Sequence, residues 1–74
     1  MAEYKVRLSS DQAADFVRAA SRCDCDVDIF YNRFIVDAKS ILGVLSLNLA
    51  DVLTVRTSVR DEAFERDIRK YAVV

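Results

Sequence analysis

The run Lys39-Ser40-Ile41-Leu42-Gly43-Val44-Leu45-Ser46-Leu47 decides how this chain folds. It is apolar, but Gly43 and Ser46 interrupt it, so it is too broken for a long strand. Ser40 has the short oxygen-bearing side chain that caps a helix, and the run predicts a short helix opening there. On its N-terminal side, Val27, Ile29 and Tyr31 alternate with Asp26, Asp28 and Phe30, the period of a strand. Phe34-Ile35-Val36-Asp37 reads as the return strand. Asn32-Arg33 between them can turn tightly, because Asn tolerates positive φ. The short helix therefore follows directly on a β-hairpin.

On the C-terminal side, Val52-Leu53-Thr54-Val55-Arg56-Thr57-Ser58-Val59 is β-branched and alternating, which predicts another strand. Asp61 or Ser58 can cap a last helix. Its first turn carries Asp61, Glu62 and Glu65 and its last Arg69 and Lys70, matching the helix dipole at each end. Ala63, Phe64, Ile68 and Tyr71 are expected to face the core. At the start of the chain, Tyr4-Lys5-Val6-Arg7-Leu8 alternates like a strand with one buried face. Ser9 then opens a helix with Gln12 three residues on, a Ser-x-x-Gln capping box. Ala13, Phe16, Val17 and Ala20 recur at helical spacing, and the helix should end near Cys23. The order β-α-β-β-α-β-α predicts an α+β fold, an antiparallel sheet with helices on one face.

The chain has 74 residues, one domain over 1–74. A chain this size buries only about 60% of its unfolded surface, so its core is thin. Hydrophobic residues make up 53% and charged ones 31%, a globular rather than disordered mix. The net charge of −1 argues against a general nucleic-acid binder. No apolar run approaches the roughly 20 residues that span a bilayer, and Met1-Ala2-Glu3-Tyr4-Lys5 lacks the plan of a signal peptide, so the cytoplasm is the expected location. Cys23 and Cys25 are too close in sequence for an unstrained mutual disulfide, and a metal site usually wants four ligands. They read as a core filler at a helix end and a residue at a strand start. No cofactor, metal or catalytic residue is indicated.

With this element order, the Lys39–Leu47 segment resembles the HPr family, which carries Lys-Ser-Ile-(Met/Leu)-Gly-Val-(Met/Leu)-Ser-Leu at this place. Val17-Arg18-Ala19-Ala20-Ser21-Arg22 resembles the end of that family's first helix, and Asp61-Glu62-Ala63 the start of its last. The resemblance implies an open-faced β-sandwich with a four-stranded antiparallel sheet in the order 1-4-2-3. It also implies a non-enzymatic protein of the sugar phosphotransferase system. The family's phosphocarrier motif, Gly-(Ile/Leu)-His-Ala-Arg-Pro-Ala, lies at the entrance to the first helix. Counting back from Val17 places Ser9 where the histidine belongs, Asp11 where the arginine belongs and Gln12 where the proline belongs. The preceding loop is also about four residues shorter.

A phosphocarrier needs a nitrogen nucleophile whose phosphoryl bond is labile, with helix N–H groups and a guanidinium to hold the oxygens. This chain contains no histidine. Asp11 gains roughly 0.3–1 kcal/mol from the helix dipole. Like charges about 4 Å apart repel by on the order of 4 kcal/mol at an effective dielectric of 20, so Asp11 opposes a phosphoryl group. Ser9 is expected to cap the helix rather than to accept phosphate.

Ser40 matches the serine that a regulatory kinase phosphorylates in HPr proteins of many Gram-positive bacteria. The resemblance carries it over as a phosphorylation candidate, with Lys39, Ile41, Leu42 and Leu45 as a docking patch. Phosphate on an N-cap adds about −1.5 to −2 charge beside free N–H groups, with Lys39 near enough to screen it. One branch of the family has also lost the histidine, keeps the serine and acts only in regulation. The expected function is therefore a non-catalytic regulatory or binding module whose partner is a serine kinase or a transcriptional regulator of the phosphotransferase system. The alternatives are a ferredoxin-like interaction domain, whose sheet order would be 4-1-3-2, and a phosphocarrier with a non-histidine acceptor. Asp24, Asp26 and Asp28 read as a solvated face blunting an edge strand. Arg56, Arg60, Arg66 and Arg69 read as surface pairing worth little each.

Overall fold

The computed structural model describes residues 1–73. Its elements are β1 (Ala2–Val6), α1 (Ser10–Arg22), β2 (Val27–Tyr31), β3 (Phe34–Asp37), α2 (Ile41–Leu45), β4 (Leu53–Thr57) and α3 (Glu62–Ile68). A single 3₁₀ turn, Arg69–Tyr71, continues α3. The strands form one antiparallel sheet in the order β1-β4-β2-β3, which is the order the family resemblance implied and not the 4-1-3-2 of the ferredoxin-like alternative.

Strand alternation sorts the side chains onto two faces. Val6, Val27, Ile29, Leu53 and Val55 point to one face and are fully buried. All three helices cover that face, and Phe16 of α1 packs on Phe64 of α3 and on Tyr71, with ring centroids 6.4 and 6.2 Å apart. The other face is open. There Arg56 pairs with Glu3 through two hydrogen bonds, 2.7 and 3.0 Å, and lies 4.6 Å over the Phe30 ring. The β2–β3 hairpin turns at Asn32, whose φ of 53° is the left-handed conformation that Asn adopts more readily than most residues.

Several expectations are corrected in detail. β1 ends at Val6, because the chain then crosses toward the helices: Arg7 N–H donates to the Tyr71 carbonyl at 2.9 Å, and Leu8 is buried in the core rather than paired in the sheet. β4 is confined to Leu53–Thr57, the five residues that β1 pairs with. Ala63 is exposed, since α3 turns Phe64 and Ile68 to the core one residue out of phase with it. β2 is an interior strand, so the three aspartates do not blunt an edge. Asp24 and Asp26 precede β2, and Asp28 stands half-buried opposite Arg56. Arg56 itself is no dispersed surface pair, being packed on an aromatic ring as well as on Glu3.

Candidate functional site

Two helix entrances carry the residues singled out in the sequence. At the first, Ser9 adopts an extended conformation and caps α1. Its Oγ accepts from Gln12 N–H at 3.2 Å, and its own N–H donates to Gln12 Oε1 at 2.9 Å. The capping box is thus complete, and it occupies both the hydroxyl and a backbone donor that an incoming anion would use. Asp11 is exposed in the first turn. No imidazole exists anywhere in the chain.

At the second entrance, Ser40 caps α2. Its Oγ accepts from Gly43 N–H at 3.1 Å, and its carbonyl accepts from Val44 N–H at 3.0 Å. The segment before it is held by Asp37, whose Oδ1 accepts from Lys39 N–H at 2.9 Å and whose carbonyl accepts from Ser40 N–H at 3.0 Å. Gly43 permits a close approach where α2 meets the hairpin: a Cβ there would lie 3.3 Å from both Ser40 Oγ and Val36 Cβ, tighter than an ordinary contact. Ser46 Oγ donates back to the Gly43 carbonyl at 2.6 Å and closes the helix.

This one turn and a half of helix divides its apolar residues cleanly. Val44 and Leu47 are buried, whereas Ile41, Leu42 and Leu45 are exposed, Leu42 at 79%. The fold thus brings Ser40 and these three side chains together on α2. Lys39 departs from expectation. Its ammonium donates to the Cys23 carbonyl at 2.8 Å, at the C-terminal end of α1, where a cation complements the helix dipole. It ties α1 to the α2 entrance rather than lying free to screen Ser40.

Cys23 is buried at that same helix end, and its Sγ lies 3.4 Å from Asp61 Oδ2. Burial, with the neighbouring Cys25 and Asp61, pushes its thiol up to about 11, so it is protonated and a poor nucleophile at neutral pH. Asp61 caps α3 by accepting from Phe64 N–H at 3.0 Å. That bond, with the Cys23 thiol, holds its carboxyl below the usual range. A cluster that the sequence did not announce joins β1 to α3: the Tyr4 hydroxyl donates to Glu65 Oε2, and Arg60 Nε donates to the same oxygen at 2.9 Å. The Tyr4 bond, then Arg60, lowers the Glu65 carboxyl, while burial and Glu65 raise the Tyr4 hydroxyl. These residues lie too far apart in sequence for local spacing to reveal the cluster.

Comparison with known proteins bears on the fold as a whole. The family model described as the HPr component phosphorylation site of the phosphotransferase system matches residues 4–69. Among solved structures, the chain is similar to a phosphocarrier protein HPr from Bacillus anthracis, at 30% identity and a TM-score of 0.78 over 95% of each chain. It shares its fold with an HPr from Thermoanaerobacter tengcongensis, at 24% identity and a TM-score of 0.80, over 95% of this chain and 89% of that one. It also shares its fold with a histidine-containing phosphocarrier protein from Mycoplasma, at 18% identity and a TM-score of 0.76, over 93% and 89%. The sheet order, the α2 segment and these matches agree: the chain belongs to the HPr family.

Proposed function

We propose that this chain is a member of the HPr family that does not relay phosphate and instead serves as a regulatory or binding module, engaging a protein partner through α2 and its N-cap Ser40. The observation that carries this reading is the contrast between two serine-capped entrances, one acidic and the other bordered by exposed apolar side chains. At α1 a capping box and a carboxylate stand where relay needs imidazole and guanidinium. At α2 the serine cap, half-buried where Ser9 is exposed, stands beside exposed Ile41, Leu42 and Leu45.

Phosphorylation of Ser40 is the switch that fits this geometry. A phosphate on the cap keeps an acceptor for the Gly43 N–H and adds negative charge at the edge of an apolar patch. A partner with an arginine beside an apolar contact then distinguishes the modified from the unmodified surface. The partner class is a serine kinase or a transcriptional regulator of the phosphotransferase system, in the cytoplasm. No helix among the described residues is long and apolar enough to cross a membrane.

The test is incubation with a serine kinase of this system and ATP, followed by mass spectrometry. One phosphate on Ser40, absent from Ser40→Ala, is expected. No label at Ser40, or equal label in Ser40→Ala, rejects the switch.

A further inference from the structure

The two edges of the sheet differ. The β1 edge is paired at its C-terminal end: Val73 N–H donates to the Lys5 carbonyl at 3.0 Å, and Ala72 bridges to Val6. At the other edge, β3 has β2 as its one strand neighbour among the described residues. Ala38 N–H donates to the Val27 carbonyl, so in this antiparallel pair Phe34, Val36 and Ala38 turn their backbone groups toward β2. The N–H and C=O of Ile35 and the N–H of Asp37 therefore point outward along the free edge.

Natural edges are usually blunted by lysine, proline or a bulge. β3 is short, at four residues, but contains no lysine or proline, and its register with β2 runs unbroken. Phe34 and Ile35 stand 66% and 59% exposed.

The charge pattern names what fits there. Arg33-Phe34-Ile35-Val36-Asp37 reads basic, apolar, apolar, apolar, acidic, and is its own complement when run antiparallel to itself. A cross-strand row on the open face adds a second reason. Glu3 opposes Arg56, Arg56 opposes Asp28, and Asp28 opposes Asp37. The row ends in two adjacent carboxylates, an unfavourable pair that a cation beyond Asp37 would relieve. Arg33 forms no ion pair among the described residues. Asp37 spends one carboxylate oxygen on Lys39 N–H and keeps the other.

We propose that β3 pairs antiparallel with β3 of a second copy about a two-fold axis at Ile35, joining two sheets into one of eight strands. In this register Arg33 meets the partner's Asp37 twice, Phe34 meets the partner's Val36 twice, and Ile35 meets the partner's Ile35. Ile35 N–H groups bond reciprocally across the axis, and each Asp37 N–H reaches the partner's Arg33 carbonyl. A slip by two residues sets a charged side chain against Ile35, and a slip by one turns the apolar set to the wrong face. The contact is small by the standard of stable dimers, so association is weak, concentration-dependent and reduced by salt.

Sedimentation velocity from about 10 μM to about 1 mM, the range in which so small an interface associates, tests this with charge reversal. The native chain is expected to shift from monomer toward dimer across the range. Arg33→Asp alone and Asp37→Arg alone are expected to stay monomeric, each placing like charges together twice. An equimolar mixture of the two restores both pairs and is expected to dimerise. Far-UV circular dichroism checks that each variant is folded, and Asp37→Asn, which keeps an acceptor for Lys39 N–H, is expected to weaken the native dimer. A native chain that is monomeric throughout overturns the proposal and leaves the edge to a strand of another protein. A dimer unmoved by charge reversal, or variants that fail to rescue each other, overturns it as well.

Discussion

Single residues decide what the α1 entrance can do. Ser9 and Gln12 satisfy each other's groups, so the entrance carries a complete capping box. Elsewhere one residue is left unsatisfied: Thr57 is fully buried on β4, and its Oγ1 has no hydrogen-bond partner among the described residues. Its desolvation is uncompensated, so Thr57→Val is expected to stabilise the fold by about 1 kcal/mol, read as a higher urea midpoint. Asp61 and Glu65 contribute to the acid limit. Their carboxyls are held below ordinary values, Asp61 mainly by the Phe64 N–H and Glu65 mainly by the Tyr4 hydroxyl. Groups depressed in the folded state contribute stability that is present above the unfolded value and lost as pH falls through the folded one. The urea midpoint should therefore hold from pH 8 to about 5 and fall below about pH 4, where ordinary carboxylates titrate. Asp61→Asn keeps a cap but not the titration, and is expected to flatten part of that fall.

Among the elements, α2 is the one on which the functional reading rests. Five helical residues cannot persist alone, so α2 depends on its cap, on buried Val44 and on the close approach that Gly43 permits. Ser40→Ala should accordingly destabilise the chain by about 1 kcal/mol in urea titration, whereas Ser40→Asp, a competent cap, should not. Much of this level was legible in the sequence, because caps, turn residues and hydrophobic period act locally. The Ser9 capping box, the Asn32 turn and the Ser40 cap all follow from neighbours within four residues. What escaped was set by tertiary placement. Lys39 is adjacent to Ser40 in sequence but is drawn to the Cys23 carbonyl by the end of a different helix. Asp28 sits in an interior strand, opposite Arg56, because β2 is flanked by β4 and β3, a pairing that local sequence does not reveal. Ala63 lies one residue away from a core-facing position, a phase that composition alone does not fix. The same limit explains why the α1 cap could be read at once: its groups lie between Ser9 and Gln12.

For the molecule as a whole, one layer of helix against one sheet gives a core with little redundancy. Phe16 is fully buried at its centre, against Phe64 and Tyr71. Phe16→Ala is expected to cost about 3–5 kcal/mol, a large share of the roughly 5–15 kcal/mol available to a small domain, and to lower the thermal midpoint markedly by circular dichroism. The family's scaffold is kept in a chain that contains no histidine. The most direct measurement is phosphoryl transfer. The purified chain is incubated with the general enzyme of the phosphotransferase system and radiolabelled phosphoenolpyruvate, beside a histidine-containing HPr. The account predicts label on the histidine-containing protein and none on this chain. Label that appears on this chain and passes onward to a sugar permease component would contradict it.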